Sequence, residues 1–304
     1  DFRRFAATGQ GGVDDLRSLL DKLAVDLSAL QQRRATGQAV LEVPAAVATA
    51  EQRASEFPEP VPGILKALTG QGQVAAKEGL AAEAKMGVAN ASAMCRRVLA
   101  GGGYPFQRAS QKDIGTKDFA AVFRAGGELD QHFNTRLAPY VDKSGGVWKL
   151  RAGAESTVPL KPGTLVQFQR AEAIRNAFLA GGAQPDVSVT VRVLEATGDV
   201  SIDVDGRPQP MPLGADLTLK WPSSRLSAQL MLAGSPAARA EGEWALFRLL
   251  DQGQRDESAG GSVVRVRYTA RAGSASALLE WRSGSGAFNP LRLPELAAFG
   301  CPLE

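Results

Sequence analysis

The hydrophobic positions of this chain change their period near residue 183, from the three-to-four spacing of helices to the alternation of strands. Leu16, Leu19, Leu20, Leu23, Leu27 and Leu30 predict an amphipathic helix over 13–36 that stops at Gly37. A second helix is expected across 39–56, where Phe57-Pro58-Glu59-Pro60-Val61-Pro62 forces an extended connector. A short helix at 63–69 and a long alanine-rich one near 73–100 follow. The long one turns Val74, Leu80, Val88, Met94 and Val98 toward partners, and Gly79 and Gly87 either weaken it or permit close packing. Gly101-Gly102-Gly103 ends it. Thr116 is the expected N-cap of a helix bearing Phe119 and Phe123, with Asp118 near its positive end and Gly126-Gly127 at its stop. A short helix over 128–137 comes next. Trp148 lies in or beside a short extended stretch, and Pro162 opens a helix with Leu165, Phe168, Ala171, Ile174 and Phe178 on one face.

Gly181-Gly182-Ala183-Gln184-Pro185 reads as a domain boundary. Beyond it Val187, Val189, Val191 and Val193 alternate with polar residues, as do Val200, Ile202 and Val204 before the Asp205-Gly206 turn, then Leu217, Leu219 and Trp221, and finally Val264, Val266 and Tyr268. That spacing predicts about seven strands. Trp244 to Leu250 fits either a helical turn or a crossing strand. Asp251 to Ser262 reads as a long polar loop, and the tail from Gly284, with Pro290, Pro294 and Pro302, is expected along a surface. The fold class is therefore α+β as separate domains: an all-α domain at 1–183, divisible into 1–100 and 101–183, and an Ig-like antiparallel β-sandwich with an extended tail at 184–304.

Composition narrows the chemistry. The chain has 304 residues, 44% hydrophobic and 22% charged, enough for two cores. No run reaches the roughly 18 apolar residues of a membrane span, and the amino terminus lacks a signal layout. Asp1 is not an initiator methionine, which fits a processed product or an excised piece. Residues 1–183 carry 23 Lys/Arg against 18 Asp/Glu and 184–304 carry 12 against 14, so neither half is a polycation. The pairs Arg3-Arg4, Arg33-Arg34 and Arg96-Arg97 read as solvated helix faces. With two cysteines and one histidine the chain falls short of a four-ligand structural zinc site, and no metal or cofactor is expected.

Every His-dependent catalytic triad must pass through His132, which reads as an aromatic packing position. Ser285 lacks the outer glycines of a nucleophile elbow. Asp203 and Asp205 share a strand face at about 6.6 Å of rise, within range for a glycosidase pair, but they precede a glycine turn. They carry the alternative reading, a periplasmic glycan-binding or glycan-cleaving protein. Gly9-Gln10-Gly11-Gly12 precedes a helix instead of following a strand, so it is no phosphate loop.

The ordered set Tyr104-Pro105-Phe106, Ser110, Asp118-Phe119, Phe123, Gly126-Gly127, Leu129-Asp130, Leu137, Pro139 and Val141-Asp142, with Trp221-Pro222 and Gly242 to Leu250 around Trp244, resembles the periplasmic carboxy-terminal region of the TssM/IcmF family. Val122, His132 and Glu243 depart from that family's usual pattern, all at packing positions. The resemblance covers roughly residues 95–304. It implies a non-enzymatic segment of an inner-membrane type VI secretion protein whose anchor lies upstream. It also implies binding to the outer-membrane lipoprotein TssJ, assembly with other TssM copies, and contact with TssL through the membrane part. Partner-binding candidates are Gln254, Arg255, Asp256 and Glu257 in the expected loop, and Phe288, Asn289, Leu291, Arg292 and Leu293 in the tail. In an oxidising periplasm Cys95 and Cys301 could form a disulfide stapling the two domains; the other reading is two buried, unpaired thiols.

Overall fold

The computed structural model describes residues 12–35, 44–155, 158–204, 206–256, 263–271, 273, 275–283 and 288–303. It begins with helices α1 (Val13–Ala35), α2 (Ala45–Arg53) and α3 (Val61–Leu99). The leucine stripe of α1 packs on α2 and on the start of α3, burying Leu19, Leu23, Val47, Ala50, Phe57 and Leu65 in a small core of their own. Arg53 pairs with Asp15 across this bundle and with Glu56 three residues further along the chain. Where two helices were expected at 63–69 and 73–100, one helix of 39 residues runs unbroken, about 58 Å long. Pro62 sits in its first turn, where a missing N–H costs no hydrogen bond. Val74, expected to face a partner, is exposed, whereas Val88 is fully buried.

Helix α4 (Thr116–Phe123) and α5 (Glu128–His132), which continues through one π turn over Phe133–Leu137, pack against the far half of α3. Gly115, not Thr116, is the N-cap of α4. Strands β1 (Val141–Asp142) and β2 (Lys149–Leu150) form a small ribbon beside Trp148, and α6 (Thr164–Phe178) buries Phe168, Ala171, Ile174 and Phe178 on one face as their spacing predicts.

The second half is two packed antiparallel sheets, sandwich-like and flanked by helices. Its strands are β3 (Val187–Ala196), β4 (Val200–Asp203), β5 (Gln209–Pro210), β6 (Asp216–Trp221), β7 (Ser227–Leu232), β8 (Ser235–Glu241), β9 (Gln254–Asp256), β10 (Val263–Thr269) and β11 (Ser276–Ser283). They order as β6-β3-β11-β10-β9 and β5-β4-β7-β8. Among the described residues these are nine strands where spacing suggested about seven. Strands β5 and β9 are too short to leave an alternation in the sequence. Helix α7 (Ala245–Gln252) covers one end, which resolves the open reading of 244–250 in favour of helix.

The tail departs from expectation. It forms a 3-10 turn at Pro290–Arg292 and helix α8 (Pro294–Ala298), and Leu291, Leu293, Leu296 and Phe299 join the main core instead of lying on a surface. That core runs without a break from Val88 on α3 through Phe119 and Phe178 to Trp221, Trp244 and Trp281, so hydrophobic packing crosses the change of period at residue 183.

Candidate functional site

The aromatic residues singled out in the sequence meet at the junction of helices and sandwich. Trp244 is fully buried, with ring centroids at 4.4 Å from Trp221, 5.2 Å from Phe119, 5.5 Å from Phe247, 5.7 Å from Phe178 and 6.1 Å from Tyr104. Phe106 and Phe123 extend the cluster to Phe299 of the tail. Three of the five Trp244 contacts are edge-to-face, a geometry that the quadrupoles of the rings favour. Both indole N–H groups find carbonyls: Trp244 Nε1 donates to Ile114 O at 2.7 Å and Trp221 Nε1 to Glu243 O at 2.8 Å.

A polar latch locks the same junction, and its roles are not apparent from residue order. Glu243 Oε2 accepts from the Thr116 main-chain N–H at 2.6 Å and from its hydroxyl at 2.5 Å, so a carboxylate from the sandwich caps the positive end of α4. Asp118 stays in that first turn. Arg248 reaches the other way, bonding Asp113 Oδ1 at 2.9 Å and Ser110 O at 2.9 Å, with its guanidinium 4.3 Å from the centre of the Tyr104 ring. Tyr104 donates to Asp251 Oδ2 at 2.9 Å. Burial, followed by the charge of Asp251, pushes the Tyr104 phenol well above its ordinary range, so it remains a donor. Gly242 has φ +101°, and a Cβ there would stand 2.0 Å from Asp113 Oδ2, so this approach requires glycine.

The two groups of partner-binding candidates come together beside this latch. Gln254, Arg255 and Asp256 form β9, an edge strand paired with β10, in place of the expected loop. Glu257 lies outside the described residues, as does Ser285. Arg255 donates to Asp251 Oδ1 at 2.6 Å and to Leu291 O at 3.3 Å, and so ties β9 to the tail. Leu291 and Leu293 are buried; Gln254 is exposed, and Phe288, Asn289 and Arg292 are half-buried. A small cavity of about 30 Å³ separates α7 from the tail here, lined by Tyr104, Arg108, Phe247, Asp251, Arg255 and Leu291 among others. It is large enough for a water molecule only.

Cys95 and Cys301 are joined by a disulfide across 206 residues of chain. Around it Ser92 donates to Pro302 O at 3.0 Å, Thr164 to Leu303 O at 2.8 Å and Arg170 to Ala298 O at 2.6 Å, while Gln167 accepts from Gly300 N at 2.8 Å. The tail is thus bound to α3 and α6 by both covalent and polar contacts.

The candidates for chemistry are dispersed. The His132 ring packs 6.1 Å from Phe168 and against Gly87, where a Cβ would come within 2.4 Å of it, and its buried Nε2 has no hydrogen-bond partner. Burial, then the charge of Arg136, lowers its pKa to about 4. Because the unfolded imidazole titrates near 6.5, the folded state is favoured above that pH and loses the advantage as pH falls toward 4. His132→Phe is expected to remove that component, so the stability difference between variant and parent should shift by up to about 2 kcal/mol between pH 7 and pH 4. Urea unfolding at the two values reads it. Asp203 Oδ1 accepts from Gly206 N at 2.5 Å and so holds a turn; Asp205 lies outside the described residues. Among the described residues no cluster of metal-ligating side chains occurs and no helix is long and apolar enough to cross a membrane.

Comparison with known proteins bears out the resemblance to the TssM/IcmF family. Residues 189–285 match the Type VI secretion protein IcmF C2-like domain. Type VI secretion system component TssM1 of Pseudomonas aeruginosa is 30% identical over 326 aligned residues, which take in 99% of this chain and 29% of that protein. The chain therefore spans under a third of the length of the curated relative it matches. The solved TssM C-terminal domain from EAEC superposes with TM-score 0.59 at 19% identity, covering 75% of this chain and 97% of that one. A type VI secretion system membrane core complex chain superposes with TM-score 0.70 at 15% identity, over 98% of this chain and 68% of its own. At these identities the two structures speak for the fold.

Proposed function

We propose that this chain, a TssM/IcmF-family region by sequence and fold, is a non-enzymatic periplasmic arm of a type VI secretion membrane complex. The observation carrying this reading is the latched aromatic junction. Glu243, Trp244 and Arg248 fix the sandwich to the helices through buried rings and paired charges, which suits a part that must hold position. Long helix α3 bridges the small amino-terminal core and the large one, so that a surface on the sandwich is held at a set distance from α1 and α2. Dispersed reactive groups, with both thiols bonded to each other, support a role in contact over one in catalysis.

The proposed partner is the outer-membrane lipoprotein TssJ, met by the surface where β9 adjoins the tail. Further TssM copies assemble alongside, and TssL is reached through the membrane part of the full protein. Gln254 is the side chain to alter, because Arg255, Leu291 and Leu293 also hold the fold. Capture of the cognate TssJ by the Gln254→Lys variant should fall at least about tenfold, the scale of a lost interface anchor, while its melting temperature stays near that of the parent. Undiminished capture would remove this surface from the account.

A further inference from the structure

The four sheet edges of the sandwich are not equally protected. Strand β8 is shielded because the Gln252 side chain imitates a neighbouring strand: Arg239 N donates to its Oε1 at 3.1 Å, and its Nε2 donates to Arg239 O at 2.7 Å. Arg271 N adds a bond to Pro236 O at 3.3 Å. Strand β5 has two residues and ends in Pro210, and β9 has three. Short edges, proline and side-chain covers are the usual means of preventing strand addition.

Strand β6 differs. It has six residues and pairs with β3 along one side. Among the described residues, no group outside that ladder bonds its main chain. Half of its peptide groups therefore face outward over a regular stretch.

Its sequence is Asp216-Leu217-Thr218-Leu219-Lys220-Trp221, and the first five residues read as a charge-complementary palindrome about Thr218. Peptide groups point alternately to the two sides of a strand. Two antiparallel copies can therefore bond only if each facing pair is separated by an even sum of positions. The register centred on Thr218 meets this condition. It sets Asp216 opposite Lys220 of the second copy at both ends, Thr218 opposite Thr218, and Leu217 opposite Leu219. Asp216, Thr218 and Lys220 all lie on the exposed face. Asp216 is held by Arg192 at 2.7 Å and Lys220 by Asp186 at 3.3 Å, both at the surface, so each can take a further partner without being uncovered from a core. A lysine on an edge normally repels strand addition. Here the mirror position carries an aspartate, which converts the repulsion into a match for a second copy and for few other strands.

We propose that β6 is a self-association edge, through which a second copy of this chain adds antiparallel about Thr218 and joins the two five-stranded sheets into one. This deepens the proposed function by naming how copies meet, and rests on that reading only for their being held side by side. The test uses the purified chain without TssJ, so failed lipoprotein capture and failed self-association are separate results.

Under mild oxidation Thr218→Cys should give a covalent dimer well ahead of Lys149→Cys, an exposed control away from the edge; the native cysteines are already bonded to each other. Equal or slower cross-linking at 218 overturns the proposal. Asp216→Lys and Lys220→Asp should each weaken self-association about tenfold, and an equimolar mixture should recover it, because cross-strand charge pairs then match again. Sedimentation of each variant and of the mixture, with far-UV dichroism confirming the fold, reads this. A mixture that associates no better than its components sinks the register.

Discussion

Replacing Trp244 with alanine is expected to be the most damaging single side-chain truncation in this chain, lowering stability by about 5 kcal/mol. The indole is fully buried and touches five other aromatic rings, so little around it can close the void. Its loss also leaves Ile114 O without the indole donor. A loss of that size rivals the whole stability of a typical domain. Urea unfolding followed by far-UV dichroism should place the midpoint of Trp244→Ala far below that of the parent. Trp244→Phe, which keeps one aromatic ring but loses part of the indole volume and its donor, should lose about 3 kcal/mol. Leu303→Ala, at an exposed position, should change stability by less than about 0.5 kcal/mol. Equal midpoints for the two tryptophan variants would show that the ring contacts matter less than the hydrogen bond.

The second large effect concerns the cross-link. In the chain-entropy treatment, closing a loop of 206 residues stabilises the folded chain by about 5 kcal/mol. Cys95→Ser with Cys301→Ser should lower the guanidinium midpoint accordingly, and reductant should bring the parent down to the same value while leaving the double variant unmoved. Polar contacts of the tail with Ser92, Thr164, Gln167 and Arg170 remain in the variant, so the tail should stay docked near neutral pH in the absence of denaturant. A parent whose midpoint ignores reductant would mean that the bond is absent or carries no stabilisation.

Much of this architecture was legible in residue order because the periodic segments bury one face. Val187, Val189, Val191 and Val193 all point inward from β3, and Phe168, Ala171, Ile174 and Phe178 from α6. Helix α7 escaped that reading because it is only eight residues long, about two turns, too short for a helical period to be told from a crossing strand. Strand β9 was hidden for another reason. Gln254-Arg255-Asp256 has a polar composition, and its extended form comes from pairing with Arg265 to Arg267 of β10. The tail was misplaced because its prolines argue against a central strand but say nothing about short helices that pack from above. Of the candidate surface, the residue types were visible; that Arg255 would reach Leu291 was not, since 36 positions of sequence separate them. Roles for Glu243 and Arg248 depend on α4 and Asp113 lying across the junction, which no local pattern encodes.

One feature of the tail bears on how the chain would carry a mechanical load. Everything between Cys95 and Cys301 is a covalent ring hung from the end of α3. A pull arriving along that helix, against a grip anywhere on the sandwich, divides between two arms of polypeptide instead of running down one. Each arm bears part of the tension, and extension stops when the shorter of them is taut.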